Sequence, residues 1–270
     1  MVVQHNLSAM NTNRQMGVVT SALQKSTEKL SSGYKINRAG DDAAGLSISE
    51  KMRSQIRGLN KASDNAQDGI SLIQVAEGAL NETHSILQRM NELATQAAND
   101  TNTSVDRQSI KDEIEQLNEE LDRISTTTQF NKQDLLTGGF SGKLQVGALK
   151  GQTMDVKISL AVSAKGLNVS AVKVSTNVKA GDAMQSIQNA IESVSKQRSK
   201  LGAIQNRLEH TINNLDTNAE NTQAAESRIR DTDMADEMVQ YSKNNILSQA
   251  GQSMLAQANQ QTQGVLSLLG

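Results

Sequence analysis

The sequence predicts a mainly α fold: an elongated antiparallel helical bundle or coiled coil, with a small β-hairpin region between its N- and C-terminal halves. Three observations predict it. Apolar residues recur every three or four positions over stretches of tens of residues, which is the repeat of a helix packing along one stripe. Proline is absent from all 270 residues, so no ring interrupts those stretches. Aromatic residues number four (Tyr34, Phe130, Phe140 and Tyr241), and tryptophan and cysteine are absent. Aromatic side chains normally dominate wide cores, so narrow seams of Leu, Ile, Met and Ala fit this composition better than a globule.

The strongest seam lies between Asp41 and Asn99. It passes through Met52, Ile56, Leu59, Ala62, Ala66, Ile70, Ile73, Ala76, Leu80, Thr83, Leu87, Met90, Ala94 and Ala97. Every step is three or four residues and the mean is about 3.5, whereas a strand needs a repeat of two. At 1.5 Å per residue such a helix reaches roughly 85 Å. Much of the seam is alanine or threonine, which implies close helix packing over a thin core. The rest of the chain must supply partner helices, and the expected shape is a rod.

Residues 1–40 read as an N-terminal arm with a sparse seam of Leu7, Met10, Met16, Val19, Leu23 and Leu30. So few apolar side chains do not offset the cost of ordering the backbone, so the arm is expected to order only against partners. Ser32-Gly33-Tyr34 and Ala39-Gly40-Asp41-Asp42 break the helix, with Asp as the cap of the next. A turn cluster at Asn99-Asp100-Thr101-Asn102 ends the long helix. The next helix opens at Thr103, with Asp106 completing a capping-box-like pair, and its seam is Ile110, Ile114, Leu117, Leu121 and Ile124.

Residues 129–180 change character. Glycines 138, 139, 142, 147, 151 and 166 punctuate the short β-rich runs Leu144–Val146, Met154–Leu160 and Leu167–Val174, a β-region signature. Gly181-Asp182 is read as the start of another long helix, with the seam Met184, Ile187, Ile191, Val194, Leu201, Ile204, Leu208, Ile212, Leu215 and Ala219. After Arg230 a C-terminal arm, 231–270, carries Met234, Met238, Tyr241, Leu247, Ala250, Met254, Ala258, Val265 and Leu268. The chain thus divides as 1–40, 41–180, 181–230 and 231–270. Weak arms flank strong helices, which flank a β insert. A chain whose ends order only in company is built to assemble.

Charge agrees with paired ends. Residues 1–61 hold nine Lys/Arg against four Asp/Glu, and Glu209–Glu237 holds two Arg against eight acids. Opposite blocks suit elements lying side by side. The overall charge of −2 gives no reason to expect a nucleic-acid or membrane-surface partner. No run approaches the ~20 apolar residues of a membrane span, and Met1–Leu7 lacks the pattern of a cleavable secretory signal.

Catalytic patterns are missing. His5, His84 and His210 are scattered, with no His-Glu-x-x-His pair. Gly138…Gly142-Lys143 is one residue short of a phosphate loop, and Leu144 stands where Ser/Thr is required. Thiol catalysis is impossible without cysteine. Glu113, Glu115, Glu119 and Glu120 sit at positions of a solvated helix face. Sequons at Asn99-Asp100-Thr101 and Asn102-Thr103-Ser104 are chance-level in so Asn-rich a chain. No enzyme activity and no cofactor are expected.

Leu30-Ser31-Ser32-Gly33-Tyr34-Lys35-Ile36-Asn37, followed by Asp41-Asp42-Ala43-Ala44-Gly45-Leu46, resembles the N-terminal signature of bacterial flagellins. Leu201-Gly202-Ala203-Ile204-Gln205-Asn206-Arg207-Leu208, Ala225–Asp231 and Gln249-Ala250-Gly251 through Leu269 resemble the C-terminal one. The resemblance covers about 1–150 and 180–270. It implies the flagellin plan in a short form without large outer domains: arms 1–40 and 231–270 paired as a coiled coil (D0), and a helical rod, 41–180 with 181–230, bearing a β-hairpin (D1). It also implies a subunit that polymerises with itself into the motility filament and is secreted unfolded by the flagellar type III system. The expected partners are other copies, an export chaperone, and hook-associated and cap proteins.

The same resemblance implies a surface read by the host's flagellin-sensing Toll-like receptor, on Gln88, Arg89, Leu93, Gln96 and Glu113. Steps of four and three place Arg89, Leu93 and Gln96 on one face, and in a filament that face is expected to contact other subunits. The C-terminal arm, with Leu247, Met254, Val265, Leu266, Leu268 and Leu269, resembles the part that assembly, the chaperone and NAIP-type receptors use. Thr262 departs from the proline common in relatives. Two alternatives share parts of the pattern: a hook–filament junction protein, with the same terminal plan, and a secreted receptor-binding module. The long C-terminal match favours the filament subunit.

Overall fold

The computed structural model describes residues 6–269, with side chains described to residue 261. It is mainly α, with five helices and two short antiparallel strand pairs between the third and fourth. The first helix, α1, spans Leu7–Ser32. Asn6 caps it by accepting the Ala9 N–H at 3.0 Å. Gly33 ends it at φ 76, where its N–H reaches the Lys29 carbonyl. That left-handed cap costs a glycine nothing and a side chain much.

The second helix, α2, spans Ala43–Ala97, and the Asp42 carboxylate accepts the Gly45 N–H at 2.9 Å at its start. The predicted seam is buried from Leu59 to Ala97, with Ile70 half-buried within it. The third helix, α3, spans Ser104–Thr127 and opens with the expected capping box: the Thr103 hydroxyl takes the Asp106 N–H, and the Asp106 carboxylate takes the Thr103 N–H. Of its seam, Ile110, Ile114, Leu121 and Ile124 are buried.

Two strand pairs follow. Strands β1 (Gln129–Phe130) and β2 (Gln133–Asp134) are joined by Asn131 and Lys132 at φ 49 and 63, a left-handed two-residue turn matching the twist of a hairpin. Strands β3 (Phe140–Gln145) and β4 (Thr153–Ile158) pair antiparallel, Phe140 opposite Ile158. Met154, Val156 and Ile158 are buried alternately along β4, so one face of the pair meets the helices. The hairpin sits close because α2 presents glycines to it. A Cβ at Gly58 would stand 2.8 Å from that of Ala148, and one at Gly69 would collide with the Leu144 side chain.

Two expectations are corrected here. Leu167–Val174 is a series of turns and not a strand. The Ala164 carbonyl takes the N–H groups of both Val169 and Ser170, and Asn168 is left-handed at φ 58. Leu167, Val169 and Val174 are nevertheless buried, which is why the run read as β. The fourth helix, α4 (Asn177–Arg230), begins four residues before Gly181. Thr176 provides the start, its carbonyl taking the Ala180 N–H at 2.9 Å, and Gly181 is carried inside the first turns. The fifth helix, α5, spans Met234–Leu269, with the Asp233 carboxylate accepting the Ala235 N–H at 2.9 Å.

The chain forms two compact units. The central unit, Gln55–Glu220, packs α2, α3 and α4 segments and the strand pairs around one core that includes Ile73, Leu80, Leu87, Leu121, Ile187, Leu201 and Leu208. Its α2 and α4 segments run antiparallel. Ser63 donates to Asp216 at 2.9 Å, Glu77 pairs with Arg198 at 3.7 Å, and the Thr95 hydroxyl donates to the Met184 sulfur at 3.2 Å.

The terminal unit, Met1–Ser54 with Asn221–Gly270, pairs α1 antiparallel with α5. Asn6 donates to the Ala258 carbonyl at 2.9 Å, and Lys29 meets Glu237 at 3.2 Å. Met16, Val19, Leu23 and Leu30 on α1 are half-buried. The predicted α5 seam is corrected, because Met234, Met238, Leu247, Ala250 and Met254 are exposed. The least exposed line is instead Glu237, Tyr241, Asn244, Ser248, Gly251, Leu255 and Ala258, at steps of four and three. The helices touch along this line: Met16 lies 3.8 Å from where a Cβ on Gly251 would stand, an ordinary van der Waals distance.

Candidate assembly and recognition surfaces

The α1/α5 pair buries little of its apolar content. Leu7, Met10 and Val18 on α1 are 70%, 63% and 62% exposed, and on α5 Met254 is 61% and Leu247 44% exposed. Val239 and Ile246, which the sequence pattern did not single out, are each 66% exposed. The side chains of Val265, Leu266, Leu268 and Leu269 lie outside the described residues. A helix pair with a thin, mixed contact line and large apolar side chains turned outward carries surface for partners to cover.

Where α1 ends and α5 begins, the two linkers join. Tyr34 and Asp231 form an antiparallel bridge, the Lys35 N–H donates to the Arg230 carbonyl at 2.8 Å, and the Thr232 N–H donates to the Gly33 carbonyl at 3.0 Å. The Arg230 guanidinium lies 4.6 Å above the Tyr34 ring, a cation–π contact. Ser49 donates to Glu226 at 2.7 Å. Sequence reasoning read these linkers only as helix breaks. The one available signal was the pairing of the basic N-terminal block with the acidic block that ends at Glu237.

Asp41 fixes the α1–α2 link. It pairs with Lys25 at 2.9 Å and accepts the N–H groups of Asn37 and Arg38. Lys25 first, then the two N–H groups, draw its pKa down from 3.8 to about 2. A folded pKa below the unfolded one means stability that is present above pH 4 and lost as pH falls through 2. Acid titration should therefore loosen this link between about pH 4 and pH 2. Asp41→Asn should flatten the dependence of the terminal unit's helix content over that window, measured by amide exchange.

In the central unit Arg89 on α2 reaches Glu113 on α3. Its Nε and Nη2 donate to one carboxylate oxygen at 3.0 and 2.8 Å, and Nη1 donates to Glu92 at 3.2 Å. Glu113 foremost, then Glu92, raise the guanidinium pKa. Gln88 and Gln96 are exposed, Gln88 bonding His84 at 3.0 Å. Of the four exposed positions Gln88, Arg89, Gln96 and Glu113, the structure joins Arg89 to Glu113 across α2 and α3. Leu93 departs from the shared-face expectation: it is 2% exposed and sits in the cluster with Ile110 and Ile114. Packing of α3 beside α2 covers a position that helical spacing alone leaves on the surface.

Among the described residues, no helix is long and apolar enough to cross a membrane, and no cluster of three or more His, Asp or Glu could hold a metal ion.

Residues 3–141 match the bacterial flagellin N-terminal helical region, and residues 184–269 match the bacterial flagellin C-terminal helical region. A flagellin of Halalkalibacterium halodurans is 56% identical, with all of both chains covered. The flagellin of Bacillus subtilis (strain 168) is 50% identical, again with full coverage of both. Among solved structures, the crystal structure of Bacillus cereus flagellin aligns over 60% of this chain and 94% of that one, at 33% identity and a TM-score of 0.51. With both terminal regions matched and full-length relatives at this identity, the chain belongs to the bacterial flagellins, a family of structural, non-enzymatic subunits of the extracellular flagellar filament.

Proposed function

We propose that this flagellin polymerises by arm ordering. The α1/α5 pair of one subunit buries its outward apolar side chains only against neighbouring copies, so the arms become fully ordered as the filament grows. The observation that carries this reading is the exposure of Leu7, Met10, Val18, Ile246 and Met254 on a pair whose inward apolar residues Met16, Val19, Leu23 and Leu30 are themselves only half-buried. In domain terms, 1–40 and 231–270 act as the assembly arms, and 41–180 with 181–230 act as the helical rod and its β region.

The finer partners follow from the same arrangement and from the family resemblance. The subunit is exported unfolded by the flagellar type III system. The absence of cysteine suits a threaded chain, since no disulfide forms to block it. An export chaperone, and cytosolic NAIP-type receptors in a host, take the C-terminal arm with Leu247, Met254, Val265, Leu266, Leu268 and Leu269. Hook-associated and cap proteins meet the arms at the filament ends. The Toll-like receptor surface comprises Gln88, Arg89, Gln96 and Glu113, with Leu93 supporting it from beneath.

The test is electron microscopy of purified chain with and without short filament seeds. Long uniform filaments growing from the seeds are expected. Persistent monomers would overturn the reading in favour of a junction protein, and receptor binding without self-assembly would favour a recognition module.

A further inference from the structure

Charge is segregated within the central unit. Residues 129–200 carry ten Lys/Arg against four Asp/Glu, whereas α3 carries seven acids against three bases. Lys173, Lys179, Lys196 and Lys200 are exposed and make no ion pair among the described residues. They gather at a groove. Three hollows run in series between the turns at 159–173 and one flank of α4, and neighbouring hollows share Ser186 and Asn168, then Ser193 and Leu160. Small and polar Ser186, Asn189 and Ser193 form its floor. Lys179 and Lys173 stand at one end and Lys196 and Lys200 at the other, with Asp182 the single acid in its lining. These α4 positions repeat at three and four residues, so the groove follows the helix for about 30 Å.

We propose that this groove receives α3 of a second copy of the chain, an inference that rests on the reading of the protein as a self-polymerising subunit. The fit is one of length, spacing and sign. Helix α3 has 24 residues, or about 36 Å. Opposite its buried line of Ile110, Ile114, Leu121 and Ile124, it exposes Asp112, Glu115 and Glu119 at steps of three and four. Glu115 is held only by Lys111 one turn earlier, at 3.1 Å, and Asp112 only by Gln108. Glu119 has no partner among the described residues. A line of carboxylates on a helix laid along a floor of small side chains, with lysines at both ends, gives a heterologous contact, in which two different surfaces of each copy meet. Such contacts build open helical polymers when the rotation between copies does not close into a ring.

Two surface variants test it. The groove variant is Lys196→Glu with Lys200→Glu, and the helix variant is Glu115→Lys with Glu119→Lys. Each alone sets like charge against like. Seeded growth of either should need roughly tenfold more subunit than the unchanged chain. In a 1:1 mixture every groove finds a helix of opposite sign, so growth should return to within about threefold of the unchanged chain. Circular dichroism on each variant establishes that the helices persist. A mixture that grows no better than its components, or variants that each grow like the unchanged chain, would overturn the groove assignment. Failure of the unchanged chain itself to grow from seeds would instead overturn the polymerisation reading.

Discussion

A chain lacking residues 235–270 is expected to build no filaments at concentrations where the full chain elongates from seeds, while its central helices stay folded. The deletion removes nearly all of α5 and so strips α1 of the helix it lies along, including the Asn6–Ala258 and Lys29–Glu237 contacts. What remains of α1 is a single helix with Leu7, Met10 and Val18 outward and only half-buried residues inward, which is marginal in water. The core of the central unit keeps all its members, because they lie within Gln55–Glu220. Amide exchange should therefore keep α2 protected from Leu59 to Ala97 while α1 becomes unprotected. Filaments grown from the truncated chain would sink the arm-ordering mechanism.

Leu201→Ala should produce a large loss of stability for a single side chain. Leu201 is fully buried on α4, in the cluster it shares with Leu80, Leu87 and Ile187. Such truncations cost about 2–5 kcal/mol through lost burial and the cavity left behind, against a total stability of roughly 5–15 kcal/mol. The urea midpoint of the central unit should drop with little change in slope. Val178→Ala, at a position 74% exposed, should stay within about 0.5 kcal/mol of the parent. If the two substitutions behaved alike, the core would have been placed on the wrong face of α4.

The helices were legible because their apolar repeat is long and unbroken. The α2 seam, the α3 seam and the Thr103–Asp106 cap all stand where local spacing placed them, since each rests on contacts within one helix or one turn. Errors arose where tertiary packing decided. Leu93 sits at a surface-facing spacing beside Arg89, yet α3 covers it. The α5 seam passes through its methionines and leucines by spacing, but the face that α1 covers is the line through Asn244, Ser248, Gly251 and Leu255. Residues 167–174 carry the side chains of a buried strand and the backbone of a turn, with Asn168 giving the left-handed position away. The short β1–β2 hairpin escaped notice because Asn-Lys lacks the glycine that usually marks such turns. The basic groove along α4 could not be read at all, because its far wall comes from residues 159–173 and only folding brings the two together.

The terminal unit takes its two helices from opposite ends of the chain, with Asn6 bonding a residue 252 positions away. A ribosome therefore completes the central unit's sequence well before α1 has anything to lie along. Contacts so distant in sequence form late and slowly, after the cost of closing the intervening loop has been met. An incomplete chain lacks the paired arms on which polymerisation is proposed to depend. On the arm-ordering reading, a chain that stops short of its last helix leaves α1 without the partner it lies along, so truncated products would be left out of the polymer.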